Sequence, residues 1–162
     1  MNSQLVKELL ESVRSGETDV DSALHRLKGM PFENLGYAVV DHHRAVRHGM
    51  PEVIYGEGKA PEHLAGIFFN LREKSPNVLA TRVSPEAARL VQEKVPDAEY
   101  FPVSRVLRCW GDRQILGKGK IAVICAGTAD IPVAEEAKLV AEVMGNDLDF
   151  IADVGVAGIH RL

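Results

Sequence analysis

Apolar residues near the start of the chain recur every three or four positions, which is the spacing of an amphipathic helix. The first predicted helix places its apolar face at Val6, Leu9, Leu10 and Val13. Gly16 ends this helix. A second helix is predicted to begin at a cap formed by Thr18 or Asp19 and to end before Gly29 and Pro31. The chain is therefore expected to open with two short helices.

Residues 37–110 alternate between strand-forming and helical patterns. Runs of β-branched and aromatic residues predict strands at 37–41, 52–55, 77–83 and 100–110. Pro61 opens one helix, and Pro85 opens another behind the cap residue Ser84. Strands that alternate with helices in this way indicate an α/β domain.

A glycine-rich stretch, residues 111–119, is the predicted linker to a second domain with a different hydrophobic pattern. The near-continuous apolar run 120–126 is typical of a parallel strand that is covered on both faces. A helix at 131–144 and a strand at 148–156 complete one strand–helix–strand unit with a right-handed crossover. The helix is expected to face its own sheet through Val133, Ala137, Val140, Ala141 and Met144.

The predicted fold class is α/β. A small N-terminal α/β domain is expected at residues 1–118, followed at 119–162 by the first β-α-β of a doubly wound, flavodoxin-type parallel sheet. A single unit of this kind cannot bury its own sheet. We therefore expect the second domain to be incomplete within this chain, and the exposed apolar surface to favour a homo-oligomer.

Composition narrows the class of partner. Lys and Arg number 19 and Asp and Glu 23, a net charge of −4, which argues against a nucleic-acid partner. The longest uncharged apolar stretch, 121–129, is too short to span a membrane, and the charged N-terminal helix is not a signal peptide. Cys109 and Cys125 form no disulfide framework and are expected to be buried and structural. A cytoplasmic protein without a membrane partner is expected.

The turn after the strand at 120–126 is the first candidate site. Gly127, Thr128 and Asp130 lie where a strand opens into a helix, so free backbone amides and the Thr128 hydroxyl suit a phosphate or carboxylate. Asp130 suits a ribose hydroxyl, or it caps the helix in a purely structural turn. The dinucleotide fingerprint G-x-G-x-x-G is absent from this turn.

His160 and Arg161 follow the next strand, and they form the second candidate site. Ligands of open α/β sheets bind beyond the carboxyl ends of the strands, so both loops are expected to face one crevice. His160 suits proton transfer near neutral pH, and Arg161 suits a bidentate contact with phosphate. His160 and Asp130 are the predicted catalytic residues. The alternative is an ordinary polar loop.

The segment 42–59 contains a glycine-flanked turn, in which Glu57 and Lys59 are candidate ligand contacts and Lys59 offers a flexible cation to a phosphate. A solvated polar loop is the alternative. His42, His43 and His48 suggest a metal, but adjacent histidines point apart and no cysteine or carboxylate completes a zinc spacing. No metal site is predicted.

The turn Gly127–Asp130, with the helix that follows and the strand before Gly158-Ile159-His160-Arg161, resembles the aminoimidazole ribonucleotide carboxylase/mutase family (PurE). Thr128 and Ile159 replace the Ser and Ala usual in that family, which indicates a divergent member. The segment 41–59 further resembles the LarB proteins, which carry a PurE-like domain behind an extra N-terminal domain. Its most specific part is Pro-Glu-Val-Ile-Tyr-Gly-Glu-Gly-Lys at 51–59.

The LarB resemblance implies a reaction. Such enzymes carboxylate the pyridinium ring of nicotinic acid adenine dinucleotide with CO₂ and hydrolyse its phosphoanhydride. The products are pyridinium biscarboxylic acid mononucleotide and AMP, in the first step of nickel-pincer nucleotide cofactor synthesis. The resemblance implies CO₂ as co-substrate and no tightly bound cofactor, and the sequence does not indicate Mg²⁺. The implied substrate contacts are Gly127, Thr128, Asp130, Arg161, Glu57 and Lys59.

The family's attacking cysteine lies downstream of the His-Arg loop, and no position in this chain matches it. We therefore expect this chain alone to be inactive. Two alternatives stay open. One is an aminoimidazole ribonucleotide carboxylase/mutase of purine biosynthesis, which would bind that ribonucleotide and not the dinucleotide. The other is a non-catalytic nucleotide-binding module, which the missing nucleophile favours.

Overall fold

The structure, a computed structural model, describes residues 3–28, 32–41 and 52–156. Helices α1 (Ser3–Arg14) and α2 (Val20–Lys28) pack against each other, which confirms the predicted helical opening. Asp19 is the cap of α2, since its carboxylate accepts hydrogen bonds from the Ser22 amide at 2.8 Å and the Ser22 hydroxyl at 2.6 Å. These bonds lower the pKa of Asp19.

A small antiparallel ribbon follows the two helices. It pairs β1 (Phe32–Asn34) with β2 (Val39–Asp41). The second strand confirms the C-terminal part of the prediction at 37–41, whereas the first has too few residues to show a hydrophobic period. Gly36 turns the chain with a φ of +85°, and its amide donates to the Asn34 side chain at 2.8 Å.

The centre of the N-terminal part is a four-stranded sheet in the order β3-β4-β6-β5, in which only β3 and β4 run parallel. Its strands are β3 (Val53–Tyr55), β4 (Asn77–Thr81), β5 (Glu99–Phe101) and β6 (Val106–Trp110). The single strand predicted at 100–110 is wrong. Pro102 and a left-handed Arg105 fold this segment into two paired strands, with Phe101 opposite Val106.

Two helices cover one face of this sheet, α3 (Pro61–Lys74) and α4 (Pro85–Lys94). Both begin at the predicted prolines, and the Ser84 hydroxyl accepts from the Ala87 amide at 3.2 Å as the predicted cap. The core between helices and sheet contains the fully buried side chains Leu64, Phe68, Val78, Val91 and Leu107.

The strand–helix–strand unit is confirmed. Its elements are β7 (Lys120–Ile124), a short 3₁₀ turn (Thr128–Asp130), α5 (Ile131–Val143) and β8 (Asp147–Ile151). Strands β7 and β8 are parallel and in register, with Lys120 opposite Asp147 and Ile124 opposite Ile151. The α/β fold class is therefore correct in both parts of the chain.

The face by which α5 is buried differs from the prediction. Leu139 and Val143 of α5 are 2% and 4% exposed and pack with Leu79 and Val106 on the second face of the four-stranded sheet. Val133, predicted to face inward, is 65% exposed. The reason is that the N-terminal sheet offers a larger apolar surface than the two strands β7 and β8.

The coverage of β7 on both faces is also not observed. Ile121 and Ile124 are 40% and 54% exposed. Within the described residues, β7 pairs with β8 alone, and α5 packs its largest buried side chains, Leu139 and Val143, against the other sheet. An apolar run therefore identifies the strand and its parallel pairing, but not its burial.

The predicted linker, residues 111–119, contains neither helix nor strand, yet hydrogen bonds fix both of its ends. Asn77 exchanges two hydrogen bonds with the Asp112 backbone, at 2.7 and 2.8 Å. The Leu116 amide donates to the Gly145 carbonyl at 2.7 Å. The domain boundary at 118 stays a prediction. No helix in the described ranges is long and apolar enough to cross a bilayer.

Candidate functional site

The carboxyl ends of β7 and β8 stay together beyond the strands themselves. The Cys125 amide donates to the Ile151 carbonyl at 3.0 Å, and the Gly155 amide donates to the Ala126 carbonyl at 2.8 Å. The chain that leaves β8 therefore runs beside the segment that leads into the turn Gly127–Asp130. This is the arrangement expected of two loops at one sheet edge. The convergence itself stays a prediction, because His160 and Arg161 lie outside the described residues.

Within the turn, Asp130 exchanges two hydrogen bonds with the Gly127 backbone. Its Oδ2 accepts a hydrogen bond from the Gly127 amide at 3.1 Å, and its own amide donates to the Gly127 carbonyl at 3.0 Å. The carboxylate thus closes the 3₁₀ turn on itself, whereas it makes no capping hydrogen bond to α5, so the predicted helix cap is not observed. A phosphate at this turn has to compete with the Asp130 carboxylate for the Gly127 amide. The side chains of Thr128 and Asp130 are exposed and accessible to a ligand.

An open groove of about 430 Å³ adjoins this turn between β7 and α5. Apolar side chains form most of its wall, and Asp130 contributes the carboxylate; the lining residues are Val123, Ile124, Cys125, Ala126, Asp130, Val133, Ala134 and Ala137. Val133 and Ala137 of α5, which were expected to be covered by the strands β7 and β8, therefore line this open groove. It places apolar surface next to the polar turn, as ligand sites commonly do.

The second predicted contact region is the turn after β3. At the start of this turn, the Gly56 amide donates a hydrogen bond to the Thr81 carbonyl at 2.7 Å. The Lys59 amide closes the turn by donating to the Gly56 carbonyl at 3.1 Å. The Tyr55 hydroxyl donates to Glu57 Oε2 at 2.8 Å, and this bond to a carboxylate raises the pKa of Tyr55. The Lys59 side chain is exposed and has no ion pair within the described ranges.

Two ion pairs define how α5 lies across the N-terminal sheet. Arg82, just beyond β4, is 2.9 Å from Glu136, and Arg108 of β6 is 2.6 Å from Glu142. Arg108 lies opposite Leu79 of β4, so the two contacts are three residues apart along β4, or about 10 Å. Glu136 and Glu142 are six residues apart along α5, or about 9 Å. The similar spans and reversed order mean that α5 runs antiparallel to β4.

This orientation brings the two predicted ligand regions to the same end of α5. The turn Gly127–Asp130 immediately precedes the helix, and the turn that contains Glu57 and Lys59 follows β3, which is parallel to β4. Since α5 begins where β4 ends, both turns lie toward its N-terminal end. The sequence predicted each turn separately, and packing of α5 explains their proximity.

Sequence reasoning missed the charged residues that connect the two parts. Glu135 accepts from the Ser104 amide at 3.1 Å, in addition to the Arg82–Glu136 and Arg108–Glu142 pairs. The available signal was the acidic composition of an otherwise apolar helix, which has three carboxylates on the side toward the N-terminal sheet. Their partners, the arginines of Glu136 and Glu142 and the Ser104 amide of Glu135, are distant in sequence and carry no local signal.

Both cysteines are free and buried, which confirms the structural interpretation. Cys109 is 1% exposed, and this burial raises the pKa of its thiol to about 11. Cys125 is 7% exposed and lies in the wall of the groove. The described residues contain no group of three or more side chains suited to a metal ion. His42, His43 and His48 lie outside the described residues.

We expect Cys109 to resist alkylation in the folded protein. With a pKa of about 11, only about one thiol in a thousand is ionised at pH 8, and the thiolate is the reacting species. In a Cys125→Ser variant, iodoacetamide at pH 8 should label Cys109 at least about 100-fold more slowly than in urea. Equal rates in the folded and unfolded protein would show that Cys109 is accessible and ionised.

Comparison with known proteins adds two findings. Residues 32–112 match the family described as the LarB/PurE-like N-terminal domain. An uncharacterized protein of Methanocaldococcus jannaschii is 33% identical over 165 residues, an alignment that covers 97% of this chain and 64% of that protein. The chain thus spans just under two thirds of the length of this relative. The family match contains β1 to β6 and the turn with Glu57 and Lys59.

Proposed function

Because the chain belongs to the LarB/PurE-like family, with half of its residues in the family's N-terminal domain, we propose that it serves the carboxylation of nicotinic acid adenine dinucleotide. CO₂ is the co-substrate, and hydrolysis of the phosphoanhydride releases AMP and the pyridinium biscarboxylic acid mononucleotide. The family match is the observation that carries this proposal. It includes residues 51–59, the segment whose sequence is most specific to these proteins.

The geometry supports a nucleotide substrate. The turn Gly127–Asp130 and the turn with Glu57 and Lys59 lie toward the same end of α5, so a ligand with two phosphates can contact both parts of the chain. Thr128 offers a hydroxyl, and Lys59 offers a cation without a partner in the described ranges. Asp130 is proposed to meet a ribose hydroxyl. His160 is proposed for proton transfer and Arg161 for a phosphate or the incoming carboxylate.

Covalent attack on the pyridinium ring would produce a dihydropyridine, an enamine that can attack CO₂. This step needs a nucleophile near the ring. Cys109 is unsuitable because its thiol is buried with a raised pKa, and it packs within the core of the N-terminal part. The part of the reaction proposed for this chain is therefore recognition of the dinucleotide, and the chain alone should not complete the turnover.

Direct binding tests the proposal. Nicotinic acid adenine dinucleotide should bind in isothermal titration calorimetry, and aminoimidazole ribonucleotide should not. Thr128→Val should weaken dinucleotide binding about tenfold, since a hydrogen bond to a charged group contributes about 1.5–3 kcal/mol. Ser15→Ala, on an exposed hydroxyl after α1, is the control and should leave binding unchanged.

The alternatives give different results. Preference for the ribonucleotide would support a purine-pathway carboxylase instead. Binding of neither compound would contradict the proposal. Mass spectrometry after incubation with the dinucleotide and bicarbonate should show neither AMP nor the dicarboxylated mononucleotide. Turnover lost in Cys125→Ser would show that this chain holds its own nucleophile, and the binding-only role would then be wrong.

A further inference from the structure

Two arginines near the N-terminal end of α5 have an unusual backbone. Arg82 has a φ of 55° and Arg105 a φ of 56°. Residues other than glycine seldom adopt this left-handed conformation, and its strain tends to occur at functional sites. The surrounding fold holds both in place, since the Val83 amide donates to the Arg105 carbonyl at 2.8 Å and Arg105 Nη2 donates to the Arg82 carbonyl at 3.1 Å.

The side chains of both arginines remain accessible. They are 40% and 44% exposed, and they lie beside the turn that carries Lys59, near the carboxyl ends of the parallel strands β3 and β4. Arg105 is 4.0 Å from Glu57, a long pair between half-exposed side chains that contributes little. Arg82 pairs with Glu136 at 2.9 Å. The two arginines and Lys59 thus share this region with three carboxylates, Glu57, Glu136 and Glu135, of which Glu135 is bound to the Ser104 amide.

A buried hydroxyl next to Arg105 lacks a partner. Ser104 is 3% exposed, and its Oγ makes no hydrogen bond to any described residue. Buried polar atoms almost always have a partner, so an unsatisfied one is consistent with a ligand or water that completes the site. Its amide is held by Glu135 of α5 at 3.1 Å, which ties this residue to the same helix.

We propose that Arg82, Arg105 and Lys59 form a binding site for a phosphate or diphosphate group. Guanidinium groups bind such oxyanions with charge-assisted, often bidentate hydrogen bonds. On binding, the anion takes the place of Glu136 beside Arg82 and of Glu57 beside Arg105. This site lies in the N-terminal part of the chain and is separate from the turn Gly127–Asp130.

If the ligand is the dinucleotide, this site adds a second contact for the substrate, and that part of the inference rests on the proposed function. Glu136 is five residues into α5, so its partner Arg82 lies about 8 Å along the helix axis from the turn that precedes Ile131. One phosphate of the substrate would then contact the turn, and the other would contact the arginine pair. The N-terminal part of the chain would thereby contribute directly to substrate recognition.

Titration with inorganic pyrophosphate tests the site without the dinucleotide. Arg82→Gln and Arg105→Gln should each weaken pyrophosphate binding about tenfold. Arg89→Gln is the matched control, because Arg89 is an exposed arginine of α4 with no partner in the described ranges, and it removes the same charge. Glu136→Gln should strengthen binding, because it removes the carboxylate that competes for Arg82. A merely structural ion pair would not produce that gain.

The outcomes separate this site from the proposed function. If pyrophosphate binds through the arginines but the dinucleotide does not bind, the anion site stands and the proposed substrate is wrong. If pyrophosphate binds with equal affinity to the unaltered protein, Arg82→Gln and Arg105→Gln, this site is wrong, and if only dinucleotide binding is unchanged in the two variants, the site does not serve the proposed substrate. Equal losses in Arg89→Gln, or no gain in Glu136→Gln with the fold intact by circular dichroism, would also overturn it.

Discussion

Replacing Arg108 with alanine should lower the free energy of unfolding by about 3 kcal/mol, near the lower end of the range for breaking a buried ion pair. The Arg108 side chain is 8% exposed and donates to Glu142 at 2.6 Å and to Glu99 at 3.1 Å. Without it, Glu142, which is 18% exposed, retains only a 3.8 Å contact with Lys138 among the ion pairs observed.

Aromatic contacts add to this effect. The Arg108 guanidinium lies 4.8 Å from the ring centre of Phe101 and 4.5 Å from that of Trp110. Arg113 also contacts Trp110, at 4.8 Å from the ring centre, but it lies at the surface. Arg113→Ala is therefore the matched control and should cost less than about 1 kcal/mol. Urea unfolding measures both variants. Similar losses in the two variants would mean that the ion pairs of Arg108 with Glu142 and Glu99 contribute nothing.

Alanine at Gly56 should destabilise the protein by about 2–3 kcal/mol, the upper part of the range for overpacking. A Cβ at this position would lie 2.8 Å from the Thr81 carbonyl oxygen and 2.9 Å from Leu64 Cδ1. The first neighbour is backbone of the adjacent strand, and the second is fully buried, so neither can move freely. Relief of the clash would push the turn with Glu57 and Lys59 away from β4.

Gly119→Ala is the control for the loss of a glycine, because a Cβ there meets nothing within 4 Å and its φ is not positive. It should change stability by less than about 1 kcal/mol. Thermal unfolding compares the two variants, and pyrophosphate titration should show weaker binding only for Gly56→Ala. An alanine at residue 56 with unchanged stability and binding would show that the close approach of β3 and β4 is not required.

Local signals predicted the helices well and the sheets less well. Pro61, Pro85 and the Ser84 cap mark helix starts through contacts within a few residues, which the sequence displays directly. The order β3-β4-β6-β5 depends on pairings between segments tens of residues apart. The turn at 102–105 was missed although Pro102 argued against one continuous strand, and the left-handed conformation of Arg105 has no sequence signature.

The candidate site was predictable to a similar extent. Glycines marked the turns at Gly127 and at Gly56 and Gly58, because glycine is favoured where a turn is tight or strands approach closely. The sequence did not reveal that Arg82 and Arg105 adjoin the second turn. The sequence also did not show that α5, besides contacting β7 and β8, buries Leu139 and Val143 against the N-terminal sheet, since helical periodicity identifies a buried face but not the element that buries it.

Helix α5 has a consequence for how the protein folds and unfolds. It is connected in sequence to β7 and β8, yet its buried residues Leu139 and Val143 complete the core around Leu79 and Val106, which lie between 33 and 64 residues earlier. Bringing α5 onto this sheet closes a long loop, which slows folding. The contact stabilises the protein only once both the sheet and the helix have formed. We therefore expect α5 to couple the two parts of the chain, so that local loosening around β7 and β8 lowers the protection of the N-terminal sheet from hydrogen exchange.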